Sequence, residues 1–207
     1  MTPTYTLRPM HLDDIPQVVA IDRASFSLPW SAGTYQFEIT NRDTSHLVVL
    51  EANLDSAPAR GWRGMLQRLW KPYPPALIVG YGGSWLIAGE AHISTIAVHP
   101  DFRGQGLGEL LLVSMLQRAI LLEGEYSVLE VRATNSTAQA LYEKYEYKVV
   151  GRRKGYYRDN GEDALLMEVR PLDYAYQQRL EQRVAALSER VPYQDRFSHQ
   201  SKPQRRS

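Results

Sequence analysis

Residues 96–108 read IAVHPDFRGQGLG. A β-branched, apolar run from His92 to Val98 stops at a proline turn, and the loop Arg103-Gly104-Gln105-Gly106-Leu107-Gly108 then opens an apolar helix. Loops of this kind present backbone N–H groups at a helix N-terminus, where the positive end of the helix dipole favours a bound phosphate. The stretch is therefore a candidate pyrophosphate cradle for a nucleotide-like cofactor. Glycines at 104, 106 and 108 do not make the dinucleotide pattern G-x-G-x-x-G. No Gly-Lys-Ser/Thr follows, so it is not a P-loop either. A plain glycine turn ahead of a core helix would read the same way, and the surrounding residues have to decide between the two.

Downstream, Leu107 to Leu122 carries Leu107, Leu110, Leu111, Met115, Leu116, Ala119 and Ile120 on one helical face. Residues 126–131 (YSVLEV) read as a buried strand, 136–145 as a helix, and 147–153 with 163–169 as a hairpin around Asn160-Gly161. Upstream, 4–8 alternate like a strand, and Asp13-Asp14 precede a helix with Ile15, Val18 and Val19. Ser31 is the expected N-cap of a second helix over about 32–41. Residues 45–51 and 76–88 read as strands, the second with a kink or turn at Gly82-Gly83. The order is β-α-α-β-β-β-α-β-α-β-β, a mixed α/β sheet.

The chain has 207 residues, 43% hydrophobic and 23% charged, with 24 Lys and Arg against 23 Asp and Glu. Such a balance supplies no field drawing the protein to DNA or to a membrane. There is no cysteine, which removes disulfides, thiolate zinc sites and a cysteine nucleophile, and fits a reducing cytoplasm. The N-terminus lacks an apolar signal region and no run reaches transmembrane length. Residues 1–171 are read as one domain, 172–191 as an appended amphipathic helix and 192–207 as a disordered basic tail. Within the domain, 53–75 is a foreign insertion rich in proline, tryptophan and basic residues (Arg60, Arg63, Arg68, Lys71). It is either a surface ornament or a contact with ribosomal RNA or a membrane surface.

Three further stretches carry chemistry. Residues 129–135 read LEVRATN, 140–147 read ALYEKYEY, and 26–31 read FSLPWS. An amine that is to act as a nucleophile has to be neutral, and an α-ammonium (pKa near 8) loses its proton far more readily than lysine. Glu130, near the end of a central strand, is a candidate base, and the apolar flanks Leu129 and Val131 are expected to raise its pKa. A solvent-facing strand glutamate is the plainer reading. Phe26, Leu28, Pro29 and Trp30 form either a plug over the core or a wall of a substrate groove. Tyr156-Tyr157 either close that groove or merely end a strand. His92 and His99 lack helical metal-ligand spacing and a completing carboxylate, so no metal is expected.

Together with Arg103-x-x-Gly106-x-Gly108, these motifs resemble the GNAT N-acetyltransferases, and most closely the bacterial ribosomal-protein alanine N-acetyltransferases, over about residues 4–170. The resemblance implies a mixed, mostly antiparallel sheet flanked by helices, with splayed central strands. It implies acetyl-CoA as co-substrate, its pantetheine along Ile96, Ala97 and Val98 and its pyrophosphate at Arg103, Gly104, Gln105, Gly106, Leu107, Gly108 and Glu109. It makes Glu130 the proton acceptor, Tyr142 the acid for the thiolate, and Asn135 a cofactor hydrogen-bond partner, although Asn135 is equally a helix N-cap. It places Phe26, Pro29, Trp30 and Tyr157 beside an acceptor peptide, the N-terminal alanine of a ribosomal protein. Broader N-terminal or lysine acetylation, and a non-catalytic acetyl-CoA-binding or ribosome-associated module, remain alternatives. Oligomeric state is not legible.

Overall fold

A computed structural model describes residues 4–41, 43–53 and 76–199. The expected insertion therefore lies, beyond Asn53, outside the described residues, as does the tail from 200 onward. Among the described residues no helix is long and apolar enough to cross a membrane.

Eight strands form one sheet: β1 (Thr4–Pro9), β2 (Ser45–Asn53), β3 (Leu77–Ile87), β4 (Glu90–Val98), β5 (Tyr126–Arg132), β6 (Lys148–Tyr157), β7 (Glu162–Val169) and β8 (Tyr193–Asp195). Their spatial order is β6-β7-β5-β4-β3-β2-β1-β8. Neighbours are antiparallel except β4 with β5 and β1 with β8. The helices are α1 (Ile15–Ser25), α2 (Ala32–Thr40), α3 (Leu107–Leu121), α4 (Ser136–Lys144) and α5 (Tyr174–Arg190). The element order read from the pattern is the order observed. Ser31 caps α2 by accepting a hydrogen bond from the Thr34 amide.

Two apolar clusters cover opposite faces of the sheet. Val18, Val19 and Ile21 of α1 and Tyr35 and Ile39 of α2 pack on Val49, Tyr81 and Ala97. On the other face α3 meets Val48, Leu50, Val79, Ile93, Leu129 and Val131. Gly82-Gly83 do not turn the chain; β3 continues unbroken through them. A Cβ on Gly83 would lie 2.7 Å from Leu47 Cδ2, so glycine is there to let side chains approach.

The register of β3 with β4 slips at Ser94, which is left without a partner between Ile93 and Thr95. The slip inverts the alternation: Ala91 and Ile93 face α3, whereas after it Val98 faces α3 and Ala97 faces α1.

The C-terminal region differs from expectation. Residues 192–199 are not a disordered tail. β8 pairs parallel to β1, with Tyr5 opposite Tyr193, and the Arg196 amide donates to the Leu7 carbonyl. Asp195 Oδ1 accepts from the Phe197 and Ser198 amides, which turns the chain so that Phe197 is buried. α5, capped by Asp173, buries Tyr176, Leu180 and Leu187 against the same core. That covering explains why Leu112 and Val113, off the predicted apolar face of α3, are also fully buried.

Candidate active site

β4 and β5 pair in parallel only from Glu90↔Tyr126 to Ile93↔Leu129. Beyond that the strands part, immediately after the bulge at Ser94 that turns β4 away. Ile96 to Val98 bond to β3 on one side and, among the described residues, meet no strand on the other. Glu130 is the first β5 residue past the split, paired only with Leu166 of β7.

His92 is in register with Val128, and Val128 and Glu130 share a face of β5, so the histidine and the carboxylate emerge together. His92 Nε2 lies 2.7 Å from Glu130 Oε2, and Arg153 Nη1 lies 3.0 Å from Oε1. The Glu130 side chain is 8% exposed. The hydrogen bond from His92 and the charge of Arg153 hold its carboxyl below the usual range, against the opposing effect of burial. This corrects the expectation that Leu129 and Val131 raise it: both side chains point to the opposite, α3-covered face, and the carboxylate meets His92 and Arg153. With Glu130 ionised and only able to accept, Nε2 of His92 is the donor in this hydrogen bond.

An aromatic row continues from this pair. Trp85 meets the His92 ring edge to face at 5.5 Å, and Trp30 stacks on Trp85 at 6.3 Å. Trp30 belongs to the loop between α1 and α2, whose amide there donates to the buried Asp22 carboxylate at 2.5 Å. Tyr81 bonds the same carboxylate, and Tyr35 donates to Tyr81 at 2.9 Å. The rest of the loop does not plug the core: Phe26 and Leu28 are exposed. Ser27 hydrogen-bonds Asp159 in the β6–β7 turn, and Asp159 pairs with Arg132 at 2.8 Å. Arg132 also pairs with Glu162 at 3.0 Å and lies 3.9 Å over the Tyr157 ring. Two walls thus flank the Glu130 end of the split, and this polar bridge joins them. Pro29 lies in the first wall and Tyr157 in the second.

Tyr142 of α4 packs against Tyr147 at 5.8 Å, and its hydroxyl has no hydrogen-bond partner among the described residues. Burial, with Tyr157 nearby, pushes its pKa up to about 12, so it stays protonated at neutral pH. Asn135 Oδ1 caps α4 by accepting from the Ala138 amide, leaving its Nδ2 for other use.

The glycine loop has the backbone a phosphate cradle needs. Gly104 and Gly106 have φ of +77° and +81°, and Gly106 is the N-cap of α3 with no side chain satisfying the first-turn N–H groups. A Cβ at Gly104 would meet nothing within 4 Å among the described residues. The side chains expected to help are otherwise engaged. Arg103 Nε donates to the Val98 carbonyl and its Nη2 to Ser25 Oγ, both at 3.0 Å. Gln105 Oε1 accepts from the Tyr5 hydroxyl. Glu109 pairs with Lys144 at 2.5 Å, with Tyr145 at 2.7 Å and with Arg190 of α5 at 3.5 Å. Leu107 is core and Gly108 packs beside Val98, so backbone amides rather than side chains are what 104–109 offer an anion. An uncapped helix start next to an unpaired strand edge fits an extended, phosphorylated carrier. Among the described residues no group of three His, Cys, Asp or Glu side chains is placed to hold a metal ion.

The acetyltransferase (GNAT) family model matches residues 16–147. A Bacillus subtilis protein provisionally named a [ribosomal protein bS18]-alanine N-acetyltransferase is 34% identical over 163 residues, 79% of this chain and 93% of that one. The N-alpha-acetyltransferase RimI of Mycobacterium tuberculosis is 33% identical over 141 residues, 62% of this chain and 87% of its own. The crystal structure of the Escherichia coli ribosomal-protein-S18-alanine N-acetyltransferase superposes with a TM-score of 0.65 at 25% identity, covering 81% of this chain and 94% of that one.

Proposed function

The chain belongs to the GNAT acetyltransferase family, and on that premise we propose that it transfers the acetyl group of acetyl-CoA to the α-amine of the N-terminal alanine of a ribosomal protein, in the cytoplasm. The observation that carries the reading is the Glu130–His92 pair, held at the mouth of the β4–β5 split between the two groove walls. Relatives named for the same reaction on bS18 support the choice of acceptor.

Bound acetyl-CoA supplies an acetyl thioester, the activated acyl group. The amides from Gly104 to Glu109 bind its pyrophosphate, and the free edge of β4 at Ile96, Ala97 and Val98 aligns its pantetheine arm and offers an amide to the carbonyl oxygen. Asn135 adds a side-chain hydrogen bond from Nδ2. Glu130 orients His92, and the pair takes the proton the amine sheds on attack. A carboxylate held low is a poor base alone, which is why the imidazole completes it. Tyr142, still protonated, donates to the departing thiolate. Phe26, Pro29, Trp30 and Tyr157 line the acceptor groove.

The test uses purified protein, acetyl-CoA and three peptides: one beginning Ala-Arg, one beginning Met-Ala, and one with a blocked N-terminus and an internal lysine. Mass spectrometry is expected to find acetyl on the alanine amine, and Glu130→Gln to lower kcat by about 10²-fold or more. Transfer confined to lysine overturns the acceptor; an unchanged rate in Glu130→Gln overturns the mechanism.

A further inference from the structure

We propose that Trp85 is the specificity-determining side chain of the acceptor site, its fixed indole limiting the N-terminal residue to a small side chain. The proposal rests on the N-terminal transfer argued above.

In the β3–β4 register Trp85 stands opposite His92, so both leave the sheet on the same face. The indole meets the imidazole at 5.5 Å, and the imidazole meets Glu130 at 2.7 Å. An amine within hydrogen-bond reach of that pair brings its Cα and side chain to the same patch of sheet. On the α1–α2 side, the ring flanking that patch is Trp85.

Trp85 is also unable to yield. Its Nε1–H donates to Glu38 Oε2 at 2.8 Å, and Glu38 is buried on α2. Trp30 lies parallel to it, planes 10° apart, and is itself held at its backbone by buried Asp22. The Trp85 indole is thus fixed by a buried carboxylate and by its stack on Trp30, and both indoles remain partly exposed. A wall that cannot rotate discriminates by volume. A methyl or hydroxymethyl group fits beside it; a leucine or methionine side chain has to displace the ring and leave the Glu38 carboxylate buried without its donor. Pockets of this kind separate substrates differing by one methylene by about 10–200-fold. The acceptors selected are alanine, serine and glycine N-termini.

Four peptides identical after the first residue, beginning with Ala, Ser, Met or Leu, are assayed with acetyl-CoA on the wild type, Trp85→Ala, Trp85→Phe and Glu38→Gln. Acetyl-CoA affinity is measured for each protein by calorimetry. The wild type is expected to favour Ala over Leu by more than about ten-fold in kcat/KM. Trp85→Ala lowers that ratio about ten-fold or more, chiefly by raising the Leu value. Trp85→Phe and Glu38→Gln fall between, and acetyl-CoA affinity is the same throughout. Ratios unchanged in both Trp85 variants, or a wild type indifferent to size, overturn the proposal while leaving N-terminal transfer standing. A wild type that modifies lysine and no N-terminus overturns both.

Discussion

His92 has a carboxylate partner, and among the described residues His46 has none. His46 Nε2, on β2, is buried with no hydrogen-bond partner among the described residues, and burial, with Arg118 nearby, pushes its pKa down to about 4. The unfolded chain, with a histidine near 6.5, therefore takes up a proton before the native state does. Stability is full above about pH 6.5, declines as pH falls toward about 4, and levels below that, with ~3 kcal/mol at stake. Urea unfolding of His46→Leu is expected to match the wild type at pH 7 and to exceed it by ~2 kcal/mol at pH 4.5. Neither histidine's role was legible beforehand. His92 met Glu130 only because β4 and β5 are parallel neighbours, a pairing between residues 38 apart that local pattern does not encode. The carboxylate itself was legible as a candidate, but its titration was not, since that depends on His92 and Arg153 arriving from other strands.

α5 packs against the glycine loop. A Cβ on Gly106 would lie 3.1 Å from Val191 and 3.6 Å from Leu187, so the last turn of α5 and the residue after it brace the left-handed turn that starts α3. Leu187→Ala removes a fully buried side chain and is expected to cost ~2–5 kcal/mol in urea unfolding. Because the loop loses its brace, acetyl-CoA affinity measured by calorimetry falls with it; lost stability with unchanged affinity would separate the helix from the loop. The helix was readable from Tyr176, Leu180, Val184 and Leu187 at helical spacing, and so were nearly all the strands and helices before it. β8 was not. Three residues in a polar stretch carry no periodicity, and what orders them is the open edge of β1 and the turn made by Asp195.

Across the whole molecule, the two walls of the groove are tied to each other and to no single element. Ser27 follows α1, Asp159 turns between β6 and β7, and Arg132 ends β5, so one ion-paired bridge couples three distant parts of the chain. Exposed pairs of this sort contribute little individually and weaken with salt. Asp159→Ala is expected to raise KM for the acceptor peptide by roughly three-fold with kcat nearly unchanged. Steady-state assays at low and high salt check it: the gap between variant and wild type narrows as salt rises. The parallel addition of β8 to β1 has a different consequence, one of timing. During translation β1 leaves the ribosome long before its outer partner exists, and the Tyr5 amide waits for the Pro192 carbonyl to be made. A nascent chain interrupted before residue 192 keeps that strand edge bare, the kind of edge on which other chains assemble.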